Sequence, residues 1–359
     1  MAYRYSISET PPPAVHGGAD GEGSFRLDFS VNTNPFGPPT ELLAALQAAR
    51  PDTYPDRHLT AIKKAGAAAL QCAPDNVLFG AGTAEIIYRL SAALLSAGDD
   101  VVVGTPTFHE FARSARLRGA HVHEVPTYAP ATDENRNLPD VTALVEALRR
   151  IRPVLCWICH PNNPTGHAWS DDQLALLADV CDETSTQLCI DAAYVHTAPG
   201  LTRDFAREAL LLRSPTKVYG IPGVRLGIAT GPASLIALLE SFAPPWVIGN
   251  AEIAAAAWIF SPAAEEFLAA SIPPWMASRD ELMAALGDAG CEVFSSSAPY
   301  FMIRHPHVEP LVAQARMNGI RLRSLGDFGM TDSIRMAART PAEHDAFLAW
   351  FKEGMWKSG

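Results

Sequence analysis

Short apolar runs alternate with longer amphipathic stretches through the first two thirds of the chain. The runs fall at 77–79, 101–103, 121–125, 154–158, 188–190, 210–212 and 226–229. Runs this short, set off by turn residues, predict buried strands. Stretches with helical spacing at 84–95, 110–118, 141–150 and 172–181 separate most of them. Strand–helix alternation of this kind predicts an α/β fold with a mostly parallel seven-stranded sheet covered by helices. Two helix starts are explicit. Ser170-Asp171-Asp172-Gln173 and Thr340-Pro341-Ala342-Glu343 have the capping-box form, the second with proline at the first helical position.

The pattern differs at both ends. Residues 1–40 are rich in Pro, Gly and Asn and read as an extended arm around one short strand at 25–31. A large domain spans 41–245. Beyond it, an alanine-rich helix at 251–270 and a second at 274–286 precede strands at 292–296, 300–304, 320–323 and 334–337 and a final helix. Residues 246–359 therefore read as a smaller α+β domain, with the arm joining it.

Composition narrows the function classes. The 359 residues are 48% hydrophobic and 19% charged, which suits a globular protein with a sizeable core. A net charge of −11 argues against a nucleic-acid partner, yet local arginines can still collect small anions. No apolar run approaches the ~20 residues of a membrane span, and the N-terminus shows no apolar signal region, so a cytoplasmic location is expected. Six cysteines in a chain of this length do not suggest a disulfide framework. Cys156 and Cys159 have CxxC spacing, but they sit in an apolar run where residues three apart face opposite sides of a strand. They read as structural thiols, with no metal expected.

The candidate chemistry lies just after predicted strands, where open α/β sheets bind ligands. Gly80-Ala81-Gly82-Thr83-Ala84 follows one strand and opens a helix; small residues there let backbone N–H groups approach a phosphate, although an ordinary strand-to-helix turn looks the same. Phe108 could stack on a flat ring or simply fill the core. His160-Pro161-Asn162-Asn163-Pro164-Thr165-Gly166 is a rigid loop presenting an amide. Asp191 ends a strand and needs a cationic partner if buried, with Tyr194 three residues on; a turn aspartate is the plainer alternative. Ser214, Lys217 and Arg225 surround a glycine- and proline-shaped turn. Lys217 suits a Schiff-base lysine, its pKa lowered by Arg225 and burial. Arg335 lies in an apolar strand, where an arginine needs a partner: a substrate carboxylate or an internal salt bridge. Arg323 could serve a second anion.

In order, these motifs resemble the fold type I enzymes of the class I/II aminotransferase superfamily, which depend on pyridoxal 5'-phosphate. The resemblance runs from about residue 14 to 350. It implies that Lys217 bonds the cofactor, Asp191 pairs with its pyridine nitrogen, Asn163 and Tyr194 reach its ring hydroxyl, and Phe108 stacks on the ring. Gly82, Thr83, Ala84, Ser214 and Arg225 would hold its phosphate, and Arg335 the α-carboxylate of an amino-acid substrate. Tyr54 matches a tyrosine that reaches the neighbouring subunit's cofactor phosphate, which implies a homodimer with shared active sites.

Within that superfamily, His16-Gly17-Gly18, the segment 28–38 ending Asn34-Pro35-Phe36-Gly37-Pro38, Pro244-Pro245-Trp246 and the segment 334–341 resemble threonine-phosphate decarboxylases of cobalamin biosynthesis. There His16, Gly17, Asn32 and Arg323 would handle a substrate phosphate, and Asn163 would share in substrate binding. The histidinol-phosphate aminotransferase branch is the alternative, since decarboxylation and transamination differ only in which Cα bond stands perpendicular to the ring. A catalytically silent module of the same fold is disfavoured by the intact Lys217, Asp191, Arg225 and Arg335.

Overall fold

The computed structural model describes residues 11–13, 16–18, 25–128, 139–198 and 209–354. Its strands are β1 (Leu27–Asp28), β2 (Val77–Gly80), β3 (Asp100–Thr105), β4 (His121–Pro126), β5 (Leu155–Cys159), β6 (Gln187–Asp191), β7 (Leu210–Arg213), β8 (Gly227–Thr230), β9 (Glu292–Val293), β10 (Tyr300–Arg304), β11 (Ile320–Arg321), β12 (Arg323–Leu325) and β13 (Met330–Ala337). The helices are α1 (Thr40–Gln47), α2 (Thr60–Leu70), α3 (Thr83–Leu94), α4 (Glu110–Arg116), α5 (Val141–Ile151), α6 (Asp171–Thr184), α7 (Pro215–Val218), α8 (Ala233–Ser241), α9 (Asn250–Ile259), α10 (Pro262–Asp288), α11 (Val308–Met317) and α12 (Pro341–Glu353).

Seven strands form one sheet in the order β2-β8-β7-β6-β5-β3-β4. β7, β6, β5, β3 and β4 are mutually parallel, and β8 runs against both of its neighbours. All seven strands predicted for this region are present, and their continuous apolar sequences follow from burial on both faces. On one face Trp157 and Cys159 pack with Ile86, Leu90 and Phe111 of α3 and α4; on the other, Cys156 and Ile158 pack with Leu144, Leu148 and Leu177 of α5 and α6. The CxxC cysteines thus face opposite sides of the sheet, both free thiols. Register sets Cys159 beside Asp191 and Asp191 beside Leu212, so the carboxyl ends of β5, β6 and β7 finish level.

A second, antiparallel sheet has the order β12-β13-β10-β9, and β1 pairs in parallel with β11. Both predicted capping boxes form, at Ser170 and Thr340.

Four expected elements differ. The strand at 25–31 shortens to β1, because the Asp28 carboxylate turns back to accept the Ser30 N–H and hydroxyl. The strand at 320–323 divides at Leu322 into β11 and β12, which join different sheets. The strand at 292–296 ends at Val293, and Ser296 instead bonds the carbonyl of Tyr300. The expected break between helices at 270–274 lies earlier: α9 ends at Ile259, the chain bends by 74°, and α10 starts with Pro262 in its first turn. α10 then runs through Pro273 and Pro274. The carbonyls those prolines leave without helical donors belong to Ala269 and Ala270, both exposed residues open to solvent.

Candidate active site

A cavity of about 390 Å³ opens where the ends of β5 and β6, the start of α3, α7 and the strands β12 and β13 converge. Every site residue named from the sequence lines it except Tyr54.

At one end Gly82 precedes α3 with φ +84°. A Cβ there would lie 2.5 Å from Nη2 of Arg225, so only glycine lets the guanidinium lie over the loop. Gly227, at the start of β8, abuts the same loop: its Cβ would come 2.5 Å from the Gly82 carbonyl carbon and the Thr83 nitrogen. The first N–H groups of α3, Ser214 and Arg225 together make an anion cradle at a helix N-terminus.

Lys217 sits in α7, with its carbonyl accepting the Asn34 N–H at 2.9 Å. Burial, then Arg335 and Arg225, push its amine down to about 8 against the opposing pull of Asp191. Arg335 adds a contribution that the sequence reading assigned to Arg225 and burial alone. Asp191 is buried, and burial raises its carboxyl to about 6 although the Ala193 N–H and Lys217 pull it down. Its side chain accepts that one N–H at 3.0 Å among the described residues. Burial likewise holds the Tyr194 phenol above its ordinary value, and Tyr194 meets Tyr300 edge-on at 4.9 Å. Phe108 is half-buried, and Phe111 braces it edge-on at 5.6 Å.

Among the described residues Arg335 has no carboxylate partner of the kind the plainer reading required. Its Nη1 donates to Asn163 Oδ1 at 2.6 Å and its Nη2 to the Ser30 carbonyl at 2.5 Å, both neutral acceptors. Its Nε is buried with no hydrogen-bond partner among the described residues, as is Oδ1 of Asn32.

The opposite wall holds residues the sequence reading did not single out. His16 Nε2–H donates to the Glu110 carboxylate at 2.9 Å, and Glu110 also accepts from the Tyr88 hydroxyl. Gly17 presses against the Ser30 carbonyl, which a Cβ would approach to 2.2 Å, and the Gly18 N–H donates to Ser30 Oγ. Arg323 pairs with Asp327, which also meets His109. His109 and Glu110 directly follow Phe108 in the chain. Asp327 carried no signal beyond its position four residues after Arg323.

Tyr54 stands apart, exposed and stacked on Trp246 at 4.5 Å.

The aminotransferase class I and II family model matches residues 26–350, and the chain belongs to that family. It is a pyridoxal 5'-phosphate-dependent enzyme. It is 30% identical over 346 residues to the aromatic amino acid aminotransferase of Mycobacterium bovis, covering 92% of this chain and 93% of that one. Its fold is similar to histidinol-phosphate aminotransferase from Sinorhizobium meliloti in complex with pyridoxal 5'-phosphate (TM-score 0.83, 23% identity, 92% and 91% covered). It is also similar to L-threonine-O-3-phosphate decarboxylase from Porphyromonas gingivalis (TM-score 0.76, 20% identity, 91% and 98% covered).

The residues present fit the cofactor: a nearly unpartnered buried carboxylate at Asp191, a lysine with a lowered pKa and a glycine-opened anion cradle meet in one cavity. A titration follows from Asp191. Its folded pKa of about 6 exceeds the ordinary 3.8, so without cofactor its contribution to stability is present below 3.8 and is lost as pH rises through about 6. Cofactor-free Asp191→Asn should therefore melt at a higher temperature than the parent at pH 7.5, and the gap should narrow as pH falls toward 4. Calorimetry showing a gap independent of pH would contradict this ionisation.

Proposed function

We propose that the protein decarboxylates an amino acid carrying a side-chain phosphate, L-threonine O-3-phosphate or a near analogue. The supporting observation is the His16–Gly17 pair, packed on Ser30 at the rim of the same cavity that holds Arg335, with Asn32 and Arg323 on adjoining walls. That is one anion site for an α-carboxylate and a second, separate one for a distal group.

Bound pyridoxal 5'-phosphate supplies an electron-accepting ring that takes up the pair from a breaking Cα bond. Gly82, Thr83, Ala84, Ser214 and Arg225 would hold its phosphate, Asp191 its ring nitrogen, Asn163 and Tyr194 its ring hydroxyl, and Phe108 its face. Lys217 would anchor it. Arg335 grips the substrate α-carboxylate through a planar fork whose geometry matches a carboxylate. His16, Asn32 and Arg323 fix the far end, and two fixed ends set which Cα bond stands perpendicular to the ring. Lys217 then delivers a proton to Cα in place of the departing carboxylate; an amine near 8 is largely protonated at neutral pH and gives that proton up readily. Tyr54, exposed on its own chain, would reach the cofactor phosphate of a second copy in a homodimer.

Transamination is the second reading, favoured by the relationship to the aromatic amino acid aminotransferase. One experiment separates the two. Purified enzyme is given O-phospho-L-threonine alone, and histidinol phosphate or L-phenylalanine with 2-oxoglutarate. Carbon dioxide released from the first is the expected result. Keto-acid-dependent amine transfer with no carbon dioxide would replace this proposal with the second reading.

A further inference from the structure

Arg323 is already engaged by an anion that belongs to the chain itself. Its Nη1 donates to Oδ1 of Asp327 at 2.9 Å and its Nη2 to Oδ2 at 2.6 Å. Two parallel N–H···O bonds from one guanidinium to one carboxylate are the geometry a substrate phosphate or carboxylate would itself need, so both cannot hold it at once. Among the described residues Asp327 pairs with Arg323 and faces His109, and Glu110 faces His16 and Arg113.

The pair is also built to open. Arg323 has supports that do not depend on Asp327: its Nη1 reaches the Ser324 carbonyl at 2.7 Å, and its guanidinium lies 5.3 Å from the Phe328 ring centre. Asp327 stands on a single turn, Gly326–Phe328, closed by Gly329 at φ +77°, where a Cβ would meet nothing within 4 Å. If its carboxylate leaves Arg323 it keeps a partner in His109, whose Nε2 lies 3.1 Å from Oδ2. The His109 ring stacks on Phe328 at 4.1 Å and ties the turn to the start of α4.

We infer that Asp327 is a specificity-determining residue: its carboxylate is a resident competitor for Arg323, displaced only by a substrate whose side chain ends in a phosphate or carboxylate. A substrate with a neutral side chain leaves the Asp327–Arg323 pair closed and gains nothing from Arg323. This rests on the proposal that Arg323 receives the substrate's distal anion. It does not depend on which Cα bond is broken.

The test is a binding titration of the holoenzyme, read from the change in cofactor absorbance. Two ligand pairs differ in the distal anion: O-phospho-L-threonine against L-threonine, and L-glutamate against L-glutamine. Asp327→Asn keeps the shape and removes the charge. It should tighten the anionic member of at least one pair by about tenfold, the worth of a charged hydrogen bond no longer competed for, and leave the neutral members unchanged. Arg323→Gln should erase the preference in both the parent and the Asp327→Asn background. The inference is overturned if Asp327→Asn leaves the preference unchanged or narrows it in both pairs, which would make Asp327 a support for Arg323. It is equally overturned if Arg323→Gln keeps the parent's preference. Cofactor absorbance and melting temperature show whether each variant is folded. Carbon dioxide release reads the reaction separately: if O-phospho-L-threonine is not decarboxylated while Asp327→Asn sharpens the preference for L-glutamate, the reaction assignment falls and the role of Asp327 stands.

Discussion

Lys217→Ala should fold, take up pyridoxal 5'-phosphate without a covalent bond, and turn over substrate at least about 10²- to 10⁴-fold more slowly, the range for losing a positioned acid–base group. Folding should survive because the substitution removes an amine that burial, Arg335 and Arg225 all disfavour as a cation. The loss belongs to kcat, since the anion cradle at Gly82, Ser214 and Arg225 and the proposed carboxylate clamp at Arg335 are untouched. Turnover within a few-fold of the parent would remove Lys217 from the chemistry.

Arg335→Ala should act on the other end of the substrate. It should weaken amino-acid binding by about 2–5 kcal/mol, the cost of losing one partner of a buried charge pair, which is roughly 30-fold or more in KM. Part of that cost is local: Asn163 Oδ1 and the Ser30 carbonyl lose their donor. Arg335→Lys separates the contributions, because it keeps the charge but cannot form the fork, and it should recover only part of the loss. Steady-state kinetics with an unchanged KM in both variants would make Arg335 a structural arginine tying the arm to the loop at Asn163.

The central sheet and the cofactor end of the cavity were legible in the sequence for one reason: each is encoded locally. A strand buried on both faces is a short apolar run, and the residues proposed to hold the cofactor follow such runs at fixed offsets, as Asp191 follows 188–190 and Gly82 follows 77–79. Gly227 shows the limit even here. It is required because β8 crosses the Gly82 loop at contact distance, and nothing in its own neighbours says so. The distal wall was less legible because its members pair across the chain: His16 with Glu110 and His109 with Asp327 are separated by 94 and 218 positions. Arg323 was visible as a charged residue at the end of a predicted strand, yet the anion that occupies it was not. The misplaced helix break has the same origin. Pro273-Pro274 is the strongest local breaker, but the break goes to the Ser261-Pro262 start, and the prolines are accommodated where the freed carbonyls face water.

The most direct test of the account is to reduce the holoenzyme with borohydride and map the modified peptide by mass spectrometry. The account predicts a cofactor-sized mass added at Lys217 in the parent and at no residue in Lys217→Ala. Cofactor fixed instead on another lysine, such as Lys63 or Lys352, or still fixed in Lys217→Ala, would contradict it.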